Sequence, residues 1–331
     1  MKKLLALLIS CVMILGLFAG CNSSAPGGET GDGLTLALVV AGNFGDRSFY
    51  DSSNEGATRL EQEGVTVKRI ECGNEKHTEQ IYNAADVAEV VVLVGWEFYD
   101  VEAVAVEYPD VRFIWIDNAT SAPVANVLNI TYAQNEGSFL AGYVAAKMST
   151  SGVIGAVGGE DSGTINDFLV GYAQGAKYAN PDVAVEIQYS NTYDDPAVGK
   201  ECALALNEKG ADVIFQVASK CGDGVFEAAQ EAGFYAIGVD SDQKYIAPDV
   251  IICSMIKEVG KSVYDAVVMH MNGEAIWGTT WLADMSNSYI GVSYGTDGEG
   301  VQVPDEIKAE VEALAQQIMS GEIVVNTTRT R

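Results

Sequence analysis

The sequence predicts an α/β protein of two doubly wound lobes, joined by a hinge that the chain crosses more than once. Three observations predict it. From residue 34 onward, short apolar runs alternate with amphipathic helical segments, the pattern of a parallel sheet covered on both faces. The rhythm pauses after residue 117 and restarts at 152. The stretch beyond residue 250 holds two more strands and two helices, too little for a third domain, so it returns to both lobes.

Taken in order, the first lobe opens with a strand over 34–40 that ends at Gly42-Asn43-Phe44-Gly45-Asp46. A helix over 49–63 follows with Gly56, Ala57 and Leu60 inward, then a strand over 65–70 and a helix over 78–87. The buried strand 90–94 ends in Gly95-Trp96-Glu97, and a helix over 100–108 leads to the strand 112–116, which ends at Asp117. A helical segment over 136–148 connects the two series.

In the second lobe the strand 152–157 ends in Gly158-Gly159, followed by a helix over 165–178. The strand 183–189 leads to Tyr193-Asp194-Asp195 and a helix over 196–209. The strand 212–217 precedes Gly222-Asp223-Gly224 and a helix to 232, and the strand 235–239 ends at Asp240. The remainder reads as a strand over 250–254, a helix over 257–271, a strand over 288–292 and a helix over 304–319. The expected lobes are therefore 34–142 with about 255–284, and 143–254 with about 285–325, hinged near 141–149 and 253–257. Both are Rossmann-like.

Residues 1–20 read as a secretory leader: Lys2 and Lys3, an apolar run over 4–17, then Leu17-Phe18-Ala19-Gly20 before Cys21. The apolar stretch is too short and wrongly flanked to span a membrane. Small residues directly before a cysteine resemble a bacterial lipobox, although Phe18 stands where Leu is usual. On that resemblance Cys21 becomes the acylated N-terminus, anchored by more than one chain. Residues 21–33 are Gly/Ser-rich without periodicity, a flexible tether.

The 331 residues carry 19 Lys+Arg against 46 Asp+Glu, a charge of −27 that loss of Lys2 and Lys3 takes to −29. So acidic a chain is poorly suited to nucleic acid or an anionic membrane surface, which demand clustered cations. Cys72, Cys202, Cys221 and Cys253 are widely spaced with no C-x-x-C, so no metal site is expected and buried thiols are the plain reading.

Candidate site residues fall at strand ends, where ligands sit in such sheets. Asp46, Asp117, Asp240 and Asp242 each follow an apolar strand or its loop, and Lys257 opens a helix just after another. Phe44, Phe49, Trp96 and Tyr193 accompany them. Singly, each Asp reads as a cap or turn residue and each aromatic as core; together they suggest a binding cleft. Phe49 and Tyr193 come from different lobes, placed to sandwich a flat ring while carboxylates accept its N–H or sugar hydroxyl groups.

Gly45-Asp46-Arg47-Ser48-Phe49 resembles an element of the basic membrane protein family, lipoprotein substrate-binding components of ABC transporters. Further similarity runs in order through Val94-Gly95-Trp96, Phe113-Ile114-Trp115-Ile116-Asp117, Glu136-Gly137-Ser138-Phe139-Leu140-Ala141-Gly142, and Gly158-Gly159 with Phe168 and Gly171-Tyr172. Tyr193-Asp194-Asp195-Pro196-Ala197, Gly238-Val239-Asp240-Ser241-Asp242-Gln243 and Ser254-Met255-Ile256-Lys257 complete it. The resemblance implies a type I periplasmic-binding-protein fold and a purine nucleoside ligand such as adenosine, guanosine or inosine. It also implies a monomeric receptor, lipid-anchored outside the bacterial cell membrane, that serves an ABC permease. It implies that Phe49 and Tyr193 stack on the base, that Asp117 reads the base edge, and that Asp240 and Lys257, with Asp242 nearby, hold the ribose. Three positions depart from the family: no Asp stands in Val40-Ala41-Gly42-Asn43, Tyr50 replaces Asn, and Trp96 replaces Phe.

Two other classes fit parts of the pattern. A sugar receptor or ligand sensor of the same fold would use Trp96, Asp117 and Asp240 equally well. A dinucleotide-dependent oxidoreductase is suggested by Gly222-x-Gly224 with Asp240 beyond, but Glu227 at the third glycine position repels phosphate. The chain has no Gly-x-Ser-x-Gly and no P-loop, and His77 and His270 lie in helical segments without a nucleophile. No enzymatic activity and no cofactor are expected.

Overall fold

The computed structural model describes residues 33–328. The leader, Cys21, the tether up to Asp32 and the last three residues lie outside them.

Each lobe is built on a six-stranded sheet. The first contains β1 (Thr35–Val40), β2 (Thr66–Glu71), β3 (Val90–Val94), β4 (Arg112–Ile116) and β5 (Val127–Tyr132) in the order 2-1-3-4-5, with β11 (Thr279–Ala283) at the edge. All its pairs are parallel. The second repeats the order with β6 (Val153–Gly158), β7 (Ala184–Tyr189), β8 (Val213–Val217), β9 (Tyr235–Asp240) and β10 (Ile251–Lys257), running 7-6-8-9-10. Its edge strand β12 (Ile290–Ser293) is antiparallel to β10. The central strands are buried on both faces, as the all-apolar β3 shows. Val94 pairs with both Val40 and Ile116, so the loops after β1, β3 and β4 leave the sheet side by side.

Helices α1 (Phe49–Gln62), α2 (His77–Ala85) and α3 (Val101–Glu107) pack with the first sheet, and α8 (Val259–Met271) packs on α1. Helices α4 (Gln134–Met148), α5 (Gly163–Ala179), α6 (Pro196–Glu208) and α7 (Cys221–Ala232) pack with the second, and α9 (Asp305–Met319) packs on α4. Asp195 caps α6 by accepting from the Ala197 N–H at 2.9 Å, and Pro196 supplies a preset first helical position.

Two α/β lobes are what the sequence predicts, but the borders differ. Helix α4 is buried on nearly every side and lies against α5, α9, β10 and β12, so the chain leaves the first lobe at Ala133, not near 142. It returns between Lys257 and Val259, then crosses again between Ala283 and Ile290. Strands β5 and β11 escape the sequence reading because polar residues interrupt their apolar runs. Asn129 of β5 is buried, yet its amide donates to Thr120 Oγ1 at 3.0 Å and Thr280 Oγ1 at 3.3 Å.

Candidate functional site

In sheets of this order the switch point lies between the first and third strands, and ligands bind beyond the strand ends there. The two lobes present these ends to one another around a cleft-like cavity. Phe49, Tyr50, Gly95, Trp96, Glu97 and Asp117 line it from the first lobe. Thr164, Ile165, Phe168, Tyr193, Val217, Ser219, Val239, Asp240 and Lys257 line it from the second.

Asp117 and Asp240 hold matching places, one just after β4 and the other at the end of its counterpart β9. Both are left-handed, with φ of 73° and 65°. Asp tolerates this region better than most residues, and such strain is typical of positions held for function. The Lys257 ammonium donates to Asp117 Oδ2 at 2.7 Å across the lobes, with side chains only 2% and 6% exposed. The same ammonium lies 4.9 Å from the Phe49 ring, 4.7 Å from Tyr132 and 5.3 Å from Phe168. A cation among π-faces is stabilised where water is excluded. Asp240 accepts from Ser48 Oγ of the opposite lobe at 2.5 Å. Burial pushes its carboxyl up to about 6, with Lys257 and the Ser48 hydroxyl pulling the other way.

On the other flank, Tyr193 lies against Gly159, where an added Cβ would come within 1.9 Å of the ring. Burial is also the main cause that raises Glu97 to about 7, with the charges of Asp117 and Glu160 adding to it. The cavity therefore offers three carboxyl groups and one ammonium between aromatic walls.

Of the residues expected to bind, the structure brings together Phe49, Trp96, Asp117, Tyr193, Asp240 and Lys257. Asp46 and Asp242 stand apart. Asp46 is buried behind the wall and accepts the backbone N–H groups of Ser48, Tyr50 and Asp51 at 3.1, 3.0 and 3.0 Å. It does the work of a helix cap, because Ser48 turns its own hydroxyl to Asp240. Asp242 is exposed and accepts from Ser293 Oγ at 2.9 Å and the Lys244 N–H at 3.0 Å. The sequence reading misses Tyr50, Glu97, Thr164, Ile165, Phe168 and Ser219. Glu97 alone carried a signal: it is an acid at a strand end, one residue beyond Trp96.

The loop that carries Asp46 also spans the cleft. Ser219 Oγ donates to Asp46 Oδ2 at 2.9 Å, Gln243 Nε2 donates to the Arg47 carbonyl at 3.0 Å, and Arg47 pairs with Asp223 at 3.6 Å. The lobes are closed on one another. The glycines of the Gly222-x-Gly224 element serve packing: a Cβ on Gly224 would come within 1.8 Å of the Pro196 carbonyl on α6. Among the described residues, Cys72, Cys202, Cys221 and Cys253 are free thiols.

A family model for ABC transporter substrate-binding proteins of the PnrA-like type, Bmp, matches residues 34–329. The chain belongs to this family. Among Bmp relatives, it is 32% identical to basic membrane protein A2 of Borrelia garinii subsp. bavariensis, over 98% of this chain and 96% of that one. It is 30% identical to basic membrane protein A of Borreliella burgdorferi, over 99% and 96% of the two chains. Among solved structures, an ABC transporter solute-binding protein from Aeropyrum pernix superposes with a TM-score of 0.79 at 28% identity, covering 88% of this chain and 94% of that one. Another from Conexibacter woesei gives 0.73 at 26%, covering 90% and 100%. The Bmp chain is thus a solute receptor of the type I periplasmic-binding fold. A small molecule is its ligand, and an ABC permease is its partner. No described helix is long and apolar enough to cross a membrane.

Proposed function

We propose that this Bmp protein captures a purine nucleoside between its lobes and presents the closed complex to a permease, as a lipoprotein anchored through Cys21. The observation that carries the reading is the buried Asp117–Lys257–Asp240 cluster beside Phe49 and Phe168. Aromatic faces suit a flat base, and ionised acceptors with one ammonium suit the vicinal hydroxyls of a ribose. With a single cation lining it among the described residues, and that one already engaged by a carboxylate, the cavity disfavours a phosphate, so a nucleoside fits it better than a nucleotide. Function here is capture: a ligand that touches both lobes stabilises the closed state over the open one.

A pentose alone would satisfy the polar cluster but leave the aromatic walls uncovered. Isothermal titration with adenosine, guanosine, inosine and ribose separates the two readings. Nucleoside binding is expected, and binding of ribose alone, or of no nucleoside, rejects the assignment. Phe49→Ala and Asp117→Ala are each expected to weaken binding about tenfold or more. Unchanged affinity in both discards the site.

A further inference from the structure

We infer that Glu97 determines the specificity of this cleft, its carboxylate selecting rings that present two adjacent N–H donors. The inference rests on the nucleoside reading and concerns which base is taken.

Asp117 is already committed. One of its oxygens receives the Lys257 ammonium at 2.7 Å, in the same cluster as Asp240 and Ser48, which gathers the groups suited to a ribose at one end of the cavity. An acceptor for the edge of a base must then come from another flank. Glu97 stands on one. It lines the cavity and also an outer pocket shared with Trp96, Tyr193, Glu160 and His77, whereas Asp117, Asp240 and Lys257 border the cavity alone.

The Glu97 carboxylate has an oxygen to spare. Oε2 is buried and has no hydrogen-bond partner among the described residues. A buried acceptor left in this state costs free energy that a donor from a ligand would recover. Room for the group is built into the backbone: Gly95 has a φ of +134°, and a Cβ there would lie 2.4 Å from Oε2. Any other residue at Gly95 would be strained and would push the carboxylate away.

Chemistry then chooses the ring. An ionised carboxylate only accepts and takes two parallel N–H groups side by side. A guanine edge offers a ring N–H next to an amino group, and both can donate. An adenine edge sets its amino group beside a ring nitrogen whose lone pair would face the carboxylate. A hypoxanthine edge offers one N–H beside a carbonyl.

The test is calorimetric titration of guanosine and adenosine at about pH 8, well above the ordinary Glu range, into the wild-type protein and Glu97→Gln. The wild-type chain is expected to bind guanosine at least about tenfold more tightly than adenosine, the scale of a hydrogen bond to a charged group. Glu97→Gln should weaken guanosine by about tenfold and leave adenosine within about threefold, since an amide both donates and accepts. A wild-type protein that favours adenosine overturns the inference without any variant. An unchanged guanosine-to-adenosine ratio in Glu97→Gln overturns it too, with nucleoside binding intact. A wild-type protein that binds neither nucleoside overturns the nucleoside reading and this inference together.

Discussion

Replacing Asp240 by Asn should stabilise the ligand-free protein while it weakens binding. The carboxyl is 7% exposed, and burial lifts it from an ordinary 3.8 to about 6. Raised above its unfolded value, it binds a proton more readily when folded, so its ionisation opposes folding. That cost is fully present above about pH 6 and vanishes below about pH 4. At 1.36 kcal/mol for each tenfold change in proton affinity, it amounts to about 3 kcal/mol. Asn is a permanent stand-in for the protonated acid and can still accept from Ser48 Oγ. Urea unfolding of both proteins should therefore show a gain of about 3 kcal/mol for Asp240→Asn near pH 7.5, shrinking toward zero as the pH falls to about 4. Titration with nucleoside should show the opposite, a loss of about tenfold or more, if this carboxylate holds a ligand hydroxyl. A gain that is absent near neutrality, or that persists on acidification, refutes the account of Asp240 as a strained buried charge.

Two further outcomes are expected. Gly159→Ala places a Cβ within 1.9 Å of the Tyr193 ring, so the ring must leave its place; ligand affinity should fall about tenfold while the lobes still fold. Unchanged titration curves would show that Tyr193 does not wall the site. Ser219→Ala removes the donor that ties Asp46 across the cleft at 2.9 Å. A hydrogen bond to a charged group contributes about 1.5–3 kcal/mol, enough to shift an open–closed balance about tenfold or more. Small-angle scattering of the ligand-free variant should show a larger radius of gyration than wild type, and identical profiles would discount the latch.

What the sequence revealed follows from what burial does to a chain. β3 and β4 are runs of apolar residues cut short by Gly95 and Asp117, so their ends were visible and the ligand side of the sheet with them. Asp117, Asp240 and Lys257 stood out because charge beside a buried strand is conspicuous. Asp46 and Asp242 shared that signature, yet whether a carboxylate faces a cavity or its own backbone depends on loop geometry, which no spacing encodes. Phe168 sits in α5 at a spacing that reads as core, and only the opposite lobe makes it a wall. β5 and β11 were hidden because Asn129 and the threonines of β11 find their partners across the sheet, a satisfaction invisible along the chain.

Lys257 is the last residue of β10, and two residues later the chain has become α8, which packs on α1 of the first lobe. The charge at the heart of the cleft therefore sits where the chain passes from one lobe to the other. Asp117 and Phe49 belong to one half and Asp240 to the other, and the ammonium reaches the first half from the end of a strand of the second. A solute that engages it would touch the crossover itself as well as the walls of both lobes.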